Sequence, residues 1–329
     1  MKTPFVCNIA IGDRSVNIFS RIDYFLPAFL GRGEYIPFIP GWRCRIKKAR
    51  TKYSVTYIPA ETSNLIYSDS RQLIKVYGES EYFSDGQTLA YLVYSLLEVD
   101  RQKNNETTAH LAACSKNGSG IILLGERGAG KTSILLALCR KYGYQVIAND
   151  LALLEFDKKH NLIFINDGTK IFGLRHTAAK MHHPDLLKFF PKKIKDSWTT
   201  KSFILPQQIN VSVEDKKTKI DKVFFCHLHA NKKERFFEGK MSGSWIKVNL
   251  YENFSRYIRG SSLIPFLGGI GGNSIGYIPS LDQLKFHKQR VMLINYLVND
   301  IGITHISGGN LQERCDFIDD KRSGKNFLH

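Results

Sequence analysis

The segment from Gly125 to Thr132 constrains this chain more than any other, because its sequence is Gly-Glu-Arg-Gly-Ala-Gly-Lys-Thr. This sequence satisfies the phosphate-loop (Walker A) pattern G-x-x-x-x-G-K-[ST]. An apolar, strand-like segment (121–124) precedes it and a segment typical of a helix (133–142) follows it, as the pattern requires. An ordinary glycine turn at a helix start is the alternative, but chance agreement with this pattern in this context is rare. The sequence therefore predicts a site for nucleotide phosphates.

Each residue type in this loop has a physical role in binding phosphates. Glycines at 125, 128 and 130 let the backbone form a concave nest whose N–H groups point at phosphate oxygens. The helix that begins near Lys131 directs the positive end of its dipole at the same point. We expect the Lys131 ammonium to reach the terminal phosphates of ATP and the Thr132 hydroxyl to bind Mg²⁺. The predicted nucleotide-binding residues are Gly125, Glu126, Arg127, Gly128, Ala129, Gly130, Lys131, Thr132 and Ser133.

The composition is that of a globular protein. The chain has 329 residues, 43% of them hydrophobic and 23% charged, which suits one large domain or two. No apolar run is long enough to cross a bilayer, and the first residues lack the layout of a secretory signal. The six cysteines are scattered without a C-x-x-C pair, which favours reduced thiols and argues against a thiolate zinc site. We therefore expect a cytoplasmic protein that does not bind membranes.

The net charge of +17 exceeds what one bound triphosphate requires. An acidic partner, either a peptide or a nucleic acid, is one interpretation of this excess. A solvated basic surface is the other, because the lysines lie in polar runs with few aromatic residues among them. Nucleic acid is therefore open but not favoured, and association into a homo-oligomer is compatible with the sequence. Basic clusters fall at 43–52, 188–195, 216–222 and 232–235.

Hydrophobic patterning divides the chain at a polar run, 101–107. Before this run, β-strand signals fill the first 80 or so residues, and an amphipathic helix follows them. After it, strand and helix signals alternate. We therefore predict a β-rich N-terminal region over 1–105, a nucleotide-binding catalytic domain over 106–320 and a polar tail over 321–329. The expected fold class is α/β.

Two further segments are weaker candidates for binding sites, one for phosphate and one for a metal ion. The glycine-rich segment 268–276 has no phosphate-loop lysine after it, so we interpret it as a mobile connector. His227 and His229 share one strand face, but no third ligand follows nearby, which argues against a metal site.

Two features flank the phosphate loop in a fixed order. His110 opens a strand that leads through a glycine turn towards the loop, and the strand after the loop ends at Asn149 and Asp150. Together with the loop, this order resembles the HPr kinase/phosphorylase family and its stand-alone relatives, which include kinases of lasso-peptide precursors. In the family a histidine opens the corresponding strand, and two adjacent aspartates stand where this chain has Asn149 and Asp150. The likeness is best over 108–150 and weaker but ordered onward to Glu313. It departs from the family at Asn149, which is neutral, and in lacking the glutamate-containing signature near Arg175.

The resemblance implies a phosphate-loop kinase core of the HPr kinase/PEP carboxykinase-like type with a mixed β-sheet. It also implies transfer of the γ-phosphoryl group of ATP to a hydroxyl, a Ser or Thr of a peptide or small protein. Asp150 is the candidate base and, with Thr132, the candidate Mg²⁺ ligand, since we expect it one strand over from the loop, at the carboxyl end. His110 would contact the transferred phosphoryl group or Asp150, while Arg127 and Arg175 would neutralise negative charge.

Purely structural roles are the alternatives to these assignments: Asp150 could cap a turn, and His110 could serve the fold. A small-molecule or nucleoside kinase is a second functional interpretation, although such enzymes commonly carry the loop near the N-terminus. A nucleotide-binding regulator without transfer activity is a third, and the +17 charge and the neutral Asn149 favour it.

Overall fold

The computed structural model describes residues 3–32, 36–62, 64–227, 235–259 and 280–323. The glycine-rich segment 268–276 and His229 lie outside these described residues. Within them, we find no helix that has both the length and the apolar character needed to cross a membrane. The chain forms two compact units, Met1–Thr108 with Tyr251–Val291, and Ala109–Leu250 with Met292–His329. The first unit therefore includes 251–291, although the sequence predicts that these residues belong to the catalytic domain.

The first unit contains a mixed six-stranded sheet. Its strands are β1 (Phe5–Ile11), β2 (Arg14–Ser20), β3 (Trp42–Arg45), β4 (Tyr53–Pro59), β5 (Asn64–Ser68) and β6 (Leu73–Gly78). The strand order is β3-β1-β2-β4-β6-β5, in which β2, β4 and β6 run parallel and the other neighbours antiparallel. The predicted β character of this region is confirmed, and the basic cluster that begins at Arg43 starts in the edge strand β3 and continues beyond its end at Arg45.

A buried carboxylate connects the helix of this unit to the strand that leads to the second unit. The helix is α1 (Gln87–Lys103), and the strand is β7 (Glu106–His110). The fully buried Glu98 on α1 accepts hydrogen bonds from the Thr107 hydroxyl at 3.0 Å and the Thr108 hydroxyl at 2.6 Å. The Thr108 amide donates a third at 3.0 Å. Because a buried carboxylate is costly without such donors, this network fixes the start of β7.

The second unit contains a mixed nine-stranded sheet whose path ends at β7. Its other strands are β8 (Ala112–Lys116), β9 (Ser119–Leu124), β10 (Gln145–Ala148), β11 (Leu151–Asp157), β12 (Leu162–Gly168), β15 (Thr218–His227), β16 (Phe237–Met241) and β17 (Ile303–Ser307). The main path is β10-β8-β9-β15-β12-β11-β7, and β17 pairs with both β15 and β16. Strand β15 runs parallel to β9 and β17, whereas β8 is antiparallel to its neighbours. The predicted α/β class with a mixed sheet is confirmed.

A separate two-stranded hairpin lies outside this sheet. It pairs β13 (Phe172–Arg175) antiparallel with β14 (Lys201–Ile204). Helix α3 (His176–His182) and a 3₁₀ helix (Pro184–Phe189) lie between the strands, and the α-helix ends before Pro184, which cannot continue it. Strand β14 ends at Ile204. A 3₁₀ helix begins at Pro206, because proline has no N–H to donate to a strand ladder.

The four remaining helices belong to the later part of the chain. They are α2 (Lys131–Lys141), α4 (Ser244–Ser255), α5 (Leu284–Tyr296) and α6 (Leu311–Ser323). Ile246 and Leu250 of α4, one turn apart, are both buried. A π-helical turn follows α5. The polar tail predicted from 321 is helical up to Ser323.

Helix α2 packs against the central sheet through one apolar face. Its buried residues Ile134, Leu135 and Leu138 belong to the same core as side chains from β8, β9, β10 and β15. Those strand residues are Ala112, Cys114, Ile121, Leu123, Val146, Phe224 and Cys226. Burial of this face removes apolar surface from water, which stabilises the helix in place. The first turn of α2 is thereby held at the carboxyl end of β9.

Gly168, at the end of β12, lies against the end of β10. A Cβ built on Gly168 would lie 2.3 Å from the Ala148 Cβ and 2.9 Å from the carbonyl oxygens of Ile147 and Leu151. We predict that Gly168→Ala lowers the free energy of unfolding by about 1–3 kcal/mol, because overpacking forces the backbone apart. Chemical denaturation measures this change. Lys158→Ala, in the exposed turn before β12, is the control and should stay within about 0.5 kcal/mol. Equal losses in both variants would contradict the close approach.

Candidate functional site

The loop between β9 and α2 has the backbone that its glycines allow. Gly125, Gly128 and Gly130 have φ values of 141°, 90° and 83°, which residues other than glycine rarely adopt. Gly125 is also sterically required, because a Cβ there would lie 2.4 Å from the Cys226 carbonyl oxygen. The beginning of the loop therefore packs directly on the end of β15. The two glycines of the phosphate-loop pattern, Gly125 and Gly130, and the additional Gly128 are therefore each required by the backbone conformation.

The Lys131 ammonium lies across the loop rather than in solvent. Its Nζ donates to the carbonyl oxygens of Gly125 at 2.7 Å and Glu126 at 3.0 Å, and the residue is only 8% exposed. Within the loop, the Ala129 amide donates to the Glu126 oxygen at 3.1 Å. The first four amides of an α-helix have no carbonyl partner inside the helix, so the start of α2 presents N–H groups beside this ammonium. The loop therefore concentrates positive charge at one point, as phosphate binding requires.

The two residues after Lys131, Thr132 and Ser133, differ in their exposure. Thr132 is partly exposed, whereas Ser133 is buried. The Ser133 carbonyl oxygen accepts a hydrogen bond from Nε2 of the buried His183 at 3.1 Å. Burial, partly opposed by this hydrogen bond, lowers the pKa of His183 to about 4, so the imidazole is neutral at pH 7. Ser133 thus packs the first turn of α2, while Thr132 remains accessible to a ligand.

His110 and Asp150 form a hydrogen-bonded pair, with His110 Nε2 3.0 Å from Asp150 Oδ1 and each side chain 24% exposed. Burial raises the pKa of Asp150, but the hydrogen bond from His110 and the charges of Lys131 and Lys201 outweigh it and hold that pKa below its usual value. Asp150 is therefore ionised, and His110 Nε2 carries the donated proton. The electrostatic interaction with Lys131 places this pair beside the phosphate loop.

Asp150 lies two strands from β9, not one as the sequence predicted. Strand β8 separates β9 from β10, because the chain returns through a tight β8–β9 hairpin before it reaches the loop. Since β8 is antiparallel to both neighbours, β9 and β10 still end at the same edge of the sheet. There the Leu111 amide, between β7 and β8, donates to the Asp150 carbonyl oxygen at 3.0 Å. The backbone thereby brings His110 opposite Asp150.

Asn149 has a structural contact that an aspartate could not make. Its side-chain Nδ2 donates to the Ile171 carbonyl oxygen at 3.0 Å, and its amide donates to the Thr169 oxygen at 2.8 Å. The residue is buried, and among the described residues its Oδ1 has no hydrogen-bond partner. Asn149 therefore holds the segment that leads into β13. Its neutral side chain, unlike a second carboxylate, can donate the bond to Ile171.

Arg127, Arg175 and Lys201 form a cluster of cations. Arg175 and Lys201 are opposite each other in the β13–β14 ladder. Burial and the charges of Arg175 and Arg127 lower the pKa of Lys201, although Asp150 acts in the opposite direction. Burial and the charge of Arg127 likewise lower the pKa of Arg175, while Asp196 opposes them. The structure thus brings Arg127, Arg175 and Lys201 together, and through Lys201 the cluster interacts electrostatically with Asp150.

Sequence reasoning did not select Lys201 or Trp198 for the site. Lys201 lies in a segment that resembles the family only in its order, and no spacing rule connects it with Asp150. Trp198 stacks on the Arg175 guanidinium at 4.5 Å and accepts a hydrogen bond at its carbonyl oxygen from Arg175 at 2.7 Å. The only signal in the sequence was a tryptophan in a lysine-rich loop, which is unusual for a solvated surface.

The residues present fit a nucleoside triphosphate with Mg²⁺. The loop offers amides and a nearly buried ammonium to phosphates, the ionised Asp150 carboxylate could supply an oxygen to a metal ion, and Thr132 is accessible. Among the described residues, no group of three His, Cys, Asp or Glu side chains could hold a metal ion by itself. Mg²⁺ does not require one, because it commonly uses one or two protein oxygens together with substrate phosphates and water. Thr132 and Asp150 are therefore the residues that would hold it.

Comparison with known proteins identified no match to any protein-family model and none to any curated protein. The resemblance to the HPr kinase/phosphorylase family therefore stays a prediction from the residues that carry it. Function must be argued from the geometry of the phosphate loop, the His110–Asp150 pair and the surrounding cations.

We predict that Asn149→Asp lowers the free energy of unfolding at pH 7 by about 1–3 kcal/mol. A carboxylate would face the Ile171 carbonyl oxygen with no proton to donate, inside the protein. The loss should shrink in acid, because a protonated carboxyl can donate again. Denaturant titrations of both proteins at pH 7 and at acidic pH measure this.

Asn161→Asp, in an exposed turn, serves as the control and should change stability by less than about 0.5 kcal/mol. If Asn149→Asp is as stable as the parent at pH 7, the amide of Asn149 does not hold Ile171.

Proposed function

We propose that this protein is an ATP-dependent kinase that transfers the γ-phosphoryl group to a hydroxyl, a Ser or Thr of a peptide or small protein. One observation carries the proposal: an ionised carboxylate, Asp150, oriented by His110, lies beside the lysine of a phosphate loop. Phosphoryl transfer needs a cradle for the triphosphate and a group that accepts the proton of the attacking hydroxyl. The resemblance to HPr-kinase-like proteins supports the same assignment.

The phosphate loop binds and orients the donor in this proposal. Backbone amides at the start of α2 and the Lys131 ammonium bind the phosphates of ATP. Thr132 and Asp150 would hold Mg²⁺, which supplies positive charge to the phosphate oxygens. Arg127 and Arg175 add further positive charge where negative charge develops during transfer. These residues position the γ-phosphorus and need no covalent intermediate.

Asp150 accepts the proton of the acceptor hydroxyl. The hydrogen bond from His110 to Oδ1 fixes the orientation of the carboxylate, so that Oδ2 can accept that proton. As the proton moves to Asp150, the acceptor oxygen bonds to the γ-phosphorus and the bond to the β–γ bridging oxygen breaks, which releases ADP. Because the pKa of Asp150 is below its usual value, the carboxyl group is ionised at neutral pH and its oxygens carry no proton before the transfer.

A nucleotide-binding regulator without an acceptor is the second candidate. The excess of cations over carboxylates favours it, because Arg127, Arg175 and Lys201 bind anions without requiring transfer. Incubation with γ-labelled ATP and a lysate of the source cell, followed by mass spectrometry of labelled species, distinguishes the two. A kinase labels an acceptor, whereas a regulator releases phosphate slowly and labels none.

We predict that Lys131→Ala abolishes nucleotide-dependent activity while the protein stays folded. The ammonium donates hydrogen bonds to two loop carbonyl oxygens, so its loss should remove a phosphate ligand from the loop rather than apolar packing from the core. Phosphoryl transfer and circular dichroism of the same preparation measure the two effects. Lys141→Ala, at the exposed end of the same helix, is the control and should keep full activity. Parent-level turnover in Lys131→Ala would refute the assignment.

We predict that Asp150→Asn reduces the transfer rate by at least about 10²-fold, the usual scale for removing a general base. Nucleotide affinity should fall less, because the loop amides and Lys131 remain. Single-turnover kinetics and equilibrium binding of ADP separate these effects.

A second His–Asp pair supplies the control. Asp157 pairs with His160 at 2.8 Å on an exposed turn, and Asp157→Asn should leave the transfer rate unchanged. If Asp150→Asn loses stability but keeps turnover, Asp150 merely caps the bend between β10 and β11.

A further inference from the structure

The β13–β14 hairpin has one face in the core and one face directed outward. Phe172, Leu174 and Ile204 are fully buried, and they alternate with residues of the other face. In the ladder, Arg175 is opposite Lys201 and Gly173 is opposite Phe203, so these four residues share the outward face. Leu205 continues the alternation in an extended conformation. The outward face thus begins with two cations and continues with two large apolar side chains.

The apolar part of this face is exposed. Phe203 is 40% exposed and Leu205 is 46% exposed, and the glycine opposite Phe203 adds no side chain. Large apolar side chains that are exposed next to one another commonly mark a binding surface. Here they adjoin the candidate site, since Lys201 at the start of the same strand interacts electrostatically with Asp150.

Trp198 extends the face towards the phosphate loop. It is 57% exposed, and its Cη2 lies 3.7 Å from where a Cβ on Gly128 would stand. The indole is nevertheless held in place, because Arg175 stacks on it and the Trp198 amide donates to Asp196 Oδ1 at 2.9 Å. The Thr199 hydroxyl donates to the other oxygen of Asp196 at 2.7 Å. An exposed aromatic that is already immobilised loses little entropy when a partner covers it.

The charge on this face favours a negatively charged occupant. Burial and the charges of Arg175 and Arg127 lower the pKa of Lys201, and burial and the charge of Arg127 lower the pKa of Arg175, whereas Asp150 and Asp196 act in the opposite direction. In the proposed kinase, Lys131 and the loop amides already serve the nucleotide phosphates. The charges of Arg175 and Lys201 are then available to a second anion on the acceptor side of Asp150.

We propose that this outward face, formed by Gly173, Arg175, Lys201, Phe203, Leu205 and Trp198, binds the acceptor as an acidic peptide. This proposal rests on the proposed kinase function. The acceptor carries an Asp or Glu side chain close to the phosphorylated Ser or Thr, where Arg175 and Lys201 pair with it. A large apolar side chain of the same peptide packs on Phe203 and Leu205, and Trp198 covers the peptide next to the loop.

The test uses a positional-scanning library of synthetic peptides with a fixed central serine, with the full-length protein and ADP. Peptide binding is measured by fluorescence polarisation and transfer by label from γ-labelled ATP. We expect selection of Asp or Glu at one position near the serine and of Leu, Ile or Phe at another. Trp198→Ala and Phe203→Ala should weaken binding of selected peptides by at least about tenfold, the scale of aromatic anchors at interfaces. Lys201→Gln should weaken only peptides that carry the acidic residue.

Matched controls lie elsewhere in the same unit. Trp245 is 54% exposed, close to the 57% of Trp198, and Trp245→Ala should leave peptide binding unchanged. Lys222→Gln, an exposed lysine on β15, is the control for Lys201→Gln. ADP affinity, measured by calorimetry, reports whether an altered side chain serves the nucleotide instead.

Several results would overturn the proposal. Absence of any selected peptide, or equal binding to Trp198→Ala and Trp245→Ala, shows that the face does not bind the acceptor. If Trp198→Ala weakens ADP and not peptide, the indole serves the nucleotide base. If Trp198→Ala converts a dimer to a monomer in sedimentation without changing peptide binding, the face joins two copies of this chain.

The peptide surface and the kinase function fail separately. Selected peptides that bind but are never phosphorylated support the surface and refute the kinase. Phosphoryl transfer without preference for acidic peptides, and without loss in Trp198→Ala, supports the kinase and refutes the surface.

Discussion

The hydrogen bonds at the bend between β10 and β11 hold together the parts on which the candidate site depends. The Asp150 carbonyl oxygen accepts from Leu111, which places His110 opposite the Asp150 carboxylate. One residue earlier, Asn149 donates one hydrogen bond from its backbone amide to Thr169 and one from its side chain to Ile171. These bonds hold the segment that leads into β13. Because these bonds are buried, losing any of them leaves an unsatisfied polar group and costs more than the bond itself contributes. Asn149 and Asp150 thus position both the Asp150 carboxylate and the β13–β14 hairpin.

Burial gives this site its electrostatic character. Lys131 is nearly buried, and burial is the largest influence on the pKa values of Asp150, Arg175 and Lys201. Charges interact more strongly where water is excluded, so the cluster of Lys131, Arg127, Arg175 and Lys201 favours anions. The hydrogen bond from His110 and the charges of Lys131 and Lys201 keep Asp150 ionised although burial alone would favour the neutral acid. Such a field suits the phosphate binding proposed for this site.

Position 149 shows how fold and chemistry compete for one residue. In the family that this chain resembles, two adjacent carboxylates follow the strand, and one negative charge is missing here. The contact with Ile171 gives a structural reason for the amide, since a carboxylate cannot donate to a carbonyl oxygen. Of the two positions, only Asp150 then carries a negative charge.

The sequence by itself determined the features that local spacing encodes. The phosphate loop, the strand and helix on either side of it, the helix α1 and the strand before Asp150 follow from glycine placement and hydrophobic periodicity, which act between near neighbours in the chain. Tertiary structure decided the rest. The insertion of β8 between β9 and β10, the electrostatic interaction of Lys201 with Asp150 and the placement of Trp198 beside Gly128 join residues that are distant in sequence. Such pairs depend on strand order and on the path of the chain between β13 and β14, which no local pattern specifies.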